Sequence, residues 1–385
     1  MSTLPGVQTG WHGAAARSGP YAGSVPGPEP VSASLAALAE PIRRIAVLRV
    51  LQLGDLLCSV PALRALRKAY PEAQISLIGL PGARELVQRL DHYLDELVEF
   101  PGIAAFPEQA AREAELPTFY AAARARRFDL ALQLHGSGAQ SNAIAERLGA
   151  RYWAGFVPDA GQAVPGWRMC WPDDLPEPRR YTALMRHLGF AVEDDALELP
   201  VAQDEIDAAQ RLLRDHGLAP ARTILLHGGA RLPSRRWPTE SFARVADALM
   251  ADGWQLALTG AAAEADIVHD IASRCRLRPV DLCGSTSLGV LAALLRQVRL
   301  LIANDTGVSH VAAAVRARSV IVACGSDAAR WAPLAHELHQ VLAAEVPCRP
   351  CGHRVCPTWH ECAAAITPAQ VVARARSLLE EVRHA

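Results

Sequence analysis

The chain has 385 residues, 50% of them apolar and 21% charged, which excludes a disordered chain and exceeds the usual size of a single hydrophobic core. A formal net charge of −1 excludes a broad basic face for nucleic acid, since phosphate binding of that kind needs clustered cation. No run reaches the roughly 18 to 20 apolar residues of a membrane span, and the N-terminus lacks a secretory pattern, so the expectation is a cytoplasmic protein of two domains.

Residues 1–41, rich in Gly, Pro, Ser and Ala, carry no periodicity and read as a flexible extension. From residue 42 the order is strand "RIAVLRV", helix "DLLCSVPALRALRKAY", strand "QISLIGL", helix "PTFYAAARARR", strand "FDLALQLHG" and helix "SNAIAERLG". This alternation predicts a parallel α/β domain over 42–200, closing with a helix around 179–188 and a linker near 192–203. Over 201–385 the pattern restarts: helix "DEIDAAQRLLRDHG", strand "RTILLHGGA", helix "TESFARVADALMADG" with Thr239 as its N-cap, strand "WQLALTG", helix "EADIVHDIASRC" and strand "PVDLCG". Helix "SLGVLAALLRQ", strand "VRLLIA", helix "VSHVAAAV" and strand "SVIVACG" follow. The predicted class is α/β, with two doubly wound halves facing each other.

Open parallel sheets bind ligands where strands end, so four loops matter. In "LQLGD", Gly54 permits a tight turn and Asp55 falls at a helix N-terminus, where it is open to capping the helix or to taking a proton from a hydroxyl. "HGGARLPSRRWP" brings Arg231, Arg235 and Arg236 beside glycines, suited to a diphosphate or to a solvated turn. "TGAAAEAD" places Glu264 where a carboxylate accepts from ribose hydroxyls or charges a helix N-terminus. "NDTGVSH" offers Asp305 or Thr306 as a cap, free amides around Gly307, and His310 on the first turn. Together these loops suggest a nucleotide-sugar site. Neither a dinucleotide glycine fingerprint after a first strand nor a P-loop occurs.

With "LGD" after the first strand, "SRRWP" in the middle, "NDTGVSH" near the end and "CRPC" before "ITPAQV", the chain resembles the bacterial heptosyltransferases, glycosyltransferase family nine. The resemblance implies the two-domain GT-B fold and inverting transfer of a heptose from an ADP-sugar to an acceptor such as lipopolysaccharide core. It also implies peripheral contact with the inner membrane face and no metal requirement for the transfer. On it, Asp55 matches the general base. Arg235 stands where relatives carry a phosphate-binding lysine; Asp305, Thr306, Gly307 and His310 match the donor loop, and Glu264 matches the acid near the nucleoside. Arg64, Arg67 and Lys68, spaced to share a helix face, are candidates for an anionic glycolipid or oligosaccharide acceptor, as are His135 and Ser137 after a strand. Alternatives are transfer of another nucleotide-sugar, transfer to protein, and a non-catalytic sugar-nucleotide binder.

Cys348, Cys351, Cys356 and Cys362 lie within fifteen residues. That spacing suits a structural zinc or iron site, or free thiols or a disulfide. The resemblance adds that some protein-modifying relatives hold iron in such a finger.

Overall fold

A computed structural model describes residues 34–380. Two six-stranded sheets carry the molecule, and every strand-to-strand pairing in them is parallel. The first comprises β1 (Arg44–Leu48), β2 (Gln74–Gly79), β3 (Glu96–Glu99), β4 (Leu130–Gln133), β5 (Tyr152–Val157) and β6 (Arg168–Cys170), in the order β3-β2-β1-β4-β5-β6. The second comprises β7 (Thr223–His227), β8 (Gln255–Leu258), β9 (Val280–Asp281), β10 (Leu300–Asn304), β11 (Ser319–Val322) and β12 (His339–Leu342), in the order β12-β11-β10-β7-β8-β9. Numbered within its own half, each follows the doubly wound order, which reverses between the first and fourth strands. Ligand crevices form there, because the loops on either side of the reversal lead to helices on opposite faces.

The central strands are continuous apolar runs, since helices cover both sides of the sheet. Ile45 to Leu48 and Leu300 to Ala303 are all buried. Of the four edge strands only β9, within "PVDLCG", is expected from the sequence; β3, β6 and β12 are missed, "ELVE" being only half-buried and "RMC" three residues long.

The expected helix over 55–70 is two helices, Leu53–Leu57 and Val60–Ala69, broken at Cys58 and Ser59, with Pro61 in the first turn of the second. Proline supplies no amide there, so the chain restarts rather than continues. Thr239 is the first residue of the helix Thr239–Ala251 rather than its cap; its hydroxyl donates to Asp270 instead. The expected extension lies outside the described residues except for 34–41. Within that part Leu35 is fully buried, and its amide bonds the Gly166 carbonyl at 3.0 Å.

Residues 190–202 contain no helix or strand and lead from the first sheet's domain into the helix Gln203–Asp215. The two domains meet where helix Leu53–Leu57 packs on helix Gly307–Ala314, whereas helix Gln203–Asp215 packs on helix Leu288–Gln297 within the second domain. One apolar core therefore runs from Leu56 and Leu57 to Val308, Val311 and Ala312 without a break.

Candidate active site

At the end of β1 the chain turns into helix Leu53–Leu57, with Asp55 in its first turn. At the end of β10 it turns through Asp305 and Thr306 into helix Gly307–Ala314. The two turns touch: a methyl group added at Gly54 would sit 2.7 Å from His310 Cδ2 and 3.4 Å from Gly307 Cα. Glycine at 54 is thus what lets the "LGD" and "NDTGVSH" turns approach. His310, only 6% exposed, stands with Nδ1 3.6 Å from the Cys58 sulfur and its ring edge-on to Trp331.

Asp55 is held from behind. Arg49, buried in the apolar end of the first strand segment, donates Nε to the Asp55 carbonyl at 3.0 Å, adds a second short bond to it, and reaches the Leu134 carbonyl. Burial pushes the Asp55 carboxyl up. Arg49, His310 and Arg330 pull it down, Glu177 pushes it further up, and the net position is above the ordinary carboxylate range. A carboxylate so placed accepts a proton more readily than a solvated one.

The second domain's loops are stitched together by Asn304, the fully buried last residue of β10. Its carbonyl accepts from the Trp237 amide at 2.9 Å, and its amide donates to the Gly228 carbonyl at 2.8 Å. One side chain therefore fixes "HGG", "SRRWP" and "NDTGVSH" to each other. Arg235 lies in the second of these, partly buried, donating to the Cys351 carbonyl at 2.9 Å. Burial lowers its pKa against the opposing pulls of Asp305 and Cys351. Thr306 precedes the helix in extended conformation and leaves the first amides of Gly307–Ala314 directed out of the helix.

Glu264 accepts from the Ala261 amide at 2.9 Å and lies against Gly229, where any side chain would collide with its carboxylate. It thus caps its own turn and stands beside the "HGG" loop. A further loop reaches over from the first domain: Arg231 donates to the Pro107 carbonyl at 2.8 Å, and Gln52 to the Glu108 carbonyl. Glu108 Oε2 is buried with no hydrogen-bond partner, and burial raises that carboxyl, with Arg231 and Asp55 both within electrostatic reach.

His135 follows β4, accepts from the Val50 amide at 3.2 Å and stacks on Phe106, 4.1 Å between centroids. Burial brings its pKa to about 3, so the ring is neutral at neutral pH. The basic helix face does not join these groups. Arg64 pairs with Asp194 at 2.7 Å and Glu198 at 3.2 Å, Arg67 with Asp95 at 2.6 Å, and Lys68 with Glu193. Acids drawn from 193–198 and from Asp95 already occupy all three, a consequence of tertiary packing that helical spacing does not reveal.

The cysteine segment lies beside the Arg235 loop. Cys348 is exposed, Cys351 and Cys356 are partly buried and Cys362 is buried, all as free thiols. Among the described residues no group of three or more His, Cys, Asp or Glu is arranged to hold a metal, so a zinc or iron site finds no support. The segment braces the Arg235 loop instead. Ser234 donates to the His353 carbonyl at 2.6 Å, His360 Nε2 lies 3.0 Å from the Ser234 carbonyl, and the Cys351 amide bonds Gly325 at 2.7 Å.

Sequence reading overlooks Arg49, Asn304 and Glu177. Arg49 alone carries a local signal, a cation inside an otherwise apolar strand run.

Residues 119–360 match the model of glycosyltransferase family 9 (heptosyltransferase). Lipopolysaccharide heptosyltransferase 3 of Escherichia coli is 25% identical over 313 residues, covering 76% of this chain and 86% of that protein. Among solved structures, the glycosyl transferase family 9 protein of Veillonella parvula superposes with a TM-score of 0.70 at 23% identity, covering 90% of this chain and 99% of that one. The Escherichia coli ADP-heptose lps heptosyltransferase II superposes with a TM-score of 0.67 at 21% identity, covering 89% and 100%. These neighbours share the arrangement of two Rossmann-like domains across a cleft, the GT-B fold. The chain belongs to glycosyltransferase family 9 and is a glycosyltransferase.

Proposed function

We propose that the protein transfers a heptose from an ADP-sugar to a hydroxyl of a lipopolysaccharide-core acceptor, with inversion at the anomeric carbon. The observation that carries this reading is the meeting of the Asp55 turn with the Gly307 helix start, at the reversal points of two sheets. The named activities of the relatives supply the sugar and the nucleotide.

In this reading the ADP moiety lies along the second domain, with Glu264 beside the nucleoside and the diphosphate between Arg235 and the amides after Thr306. The acceptor hydroxyl enters from the first domain. Its proton passes to the Asp55 carboxylate as its oxygen bonds to the anomeric carbon from the face opposite the diphosphate. The bond from that carbon to the diphosphate oxygen breaks, and its electron pair leaves with ADP. Arg235 and the helix amides stabilise the developing charge, as fixed dipoles and cations do where charge appears in a transition state. His310, directed at the same turn, is assigned to an oxygen of the sugar or diphosphate.

The test is incubation with ADP-heptose and a panel of core oligosaccharides. Asp55→Ala should abolish transfer and leave ADP binding nearly intact. Normal turnover in that variant would remove Asp55 from its role.

A further inference from the structure

Glu177 opens the helix Glu177–His187 of the first domain and is 1% exposed, yet it is an acid. An isolated buried carboxylate is costly, so its partners define its purpose. Arg330 Nε lies 2.6 Å from Glu177 Oε2, Arg180 Nη1 3.5 Å from the same oxygen, and Arg49 Nη2 3.9 Å from Oε1, to which the Tyr181 hydroxyl also donates. Three of these partners come from the first domain. Arg330 comes from helix Ala328–Trp331 of the second, and aromatic rings hold it there: its guanidinium lies 4.5 Å from the Trp331 ring centre and 5.7 Å from that of Trp171.

The Arg330–Glu177 bond therefore spans the two domains, and it does so beside Asp55. Arg49 links the two acids directly, touching the Glu177 carboxylate and the Asp55 backbone with the same guanidinium. Trp331, next to Arg330, stands against His310.

We propose that Glu177 and Arg330 are positioning residues, a latch that joins the two domains at the catalytic end of the cleft and sets the charge balance in which Asp55 accepts its proton. This rests on Asp55 being the general base. The groups facing Asp55 are Arg49 after the first strand, Glu177, His310 of the Gly307 helix, Arg330, Glu108 of the crossing loop, and the Cys58 thiol. Glu177 disfavours a second negative charge nearby, and Arg330 favours it. With the latch open, Arg330 would be withdrawn and Glu177 left to oppose ionisation, so closing the domains also readies the base.

The signs separate this role from a purely structural one. Losing the Glu177 charge lowers the pKa of Asp55 and moves the acid limb of kcat/KM to lower pH; losing the Arg330 charge moves it to higher pH. Full-length Glu177→Gln, Arg330→Gln and Arg330→Lys would be profiled with ADP-heptose and a truncated core oligosaccharide. Titration of the Asp55 carboxyl by carbon NMR, identified by its absence in Asp55→Asn, gives the same reading without turnover. The expected shifts are about half a pH unit or more in opposite directions, with Arg330→Lys close to wild type and ADP affinity within about threefold. Unmoved limbs, or limbs moving together, would overturn the proposal. Full activity in Asp55→Asn would instead defeat the general-base reading, and the NMR titration would still report on the latch. Should Glu177→Gln fail to fold, the partly exposed Arg330 decides alone: an unshifted Asp55 in Arg330→Gln overturns the proposal.

Discussion

Asp55 is costly to the fold in proportion to its use. An acid whose pKa is raised on folding binds its proton more tightly in the folded state than in the unfolded chain. Its contribution to stability therefore falls as pH rises from about 4, the unfolded value, through the raised folded one. At neutral pH the ionised carboxylate weakens the protein. Asp55→Asn, which keeps the shape and removes the charge, should raise the melting temperature at pH 7 by about 2 °C or more while transfer is lost. The gain should shrink toward pH 4; a variant less stable than wild type at pH 7 would contradict the burial argument. Asn304 has the opposite character, a buried amide used at both ends. Asn304→Ala leaves the Trp237 amide and the Gly228 carbonyl without that partner and should cost about 2–4 kcal/mol in denaturant unfolding. A loss below about 0.5 kcal/mol would mean the loops are held together by other contacts.

Between elements, the decisive contact is that of helix Leu53–Leu57 with helix Gly307–Ala314. Gly54→Ala puts a methyl group 2.7 Å from a buried His310 ring that Cys58 and Trp331 already confine. The helices must part or the imidazole must turn. We expect kcat/KM to fall about tenfold or more, because misplacement of reacting groups by under an ångström is enough to slow transfer. Unchanged kinetics in a folded Gly54→Ala protein would show that the approach of these turns is not needed. The elements also show what sequence patterning can and cannot carry. Apolar runs such as "RIAVL" and "LLIAN" announce buried central strands, because helices on both sides remove any need for polar alternation. "ELVE" and "HQVL" lack that signal: the first is a half-exposed edge, and the second hides a buried His339 paired with Ser319 at 2.8 Å. The cysteines show the limit of spacing as a signal: it is a property of the local chain, whereas metal binding requires convergence in space. Among the described residues no such group is found, while the segment's backbone bonds Ser234 and Gly325.

Across the whole molecule, two sheets of the same winding face each other, and both halves of the candidate site lie where their strand orders reverse. Of that site, the strand-end motifs carrying Asp55, Arg235 and Asp305 to His310 are legible in sequence because a turn into a helix has local requirements. The Glu177 latch is not legible, since its partners lie at positions 49 and 330 and a glutamate in "LPEPRRY" reads as an ordinary exposed helix start. The acceptor side is hidden for the same reason: Arg64, Arg67 and Lys68 share a helix face, but acids from distant segments already occupy them. The most direct test of the proposed transfer is the anomeric configuration of the product formed from ADP-heptose and a core oligosaccharide, read by NMR. The expected result is one added heptose with configuration inverted relative to the donor, and a rate lowered at least about a hundredfold in Asp55→Ala. A retained configuration, or undiminished transfer by the Asp55→Ala protein, would contradict it.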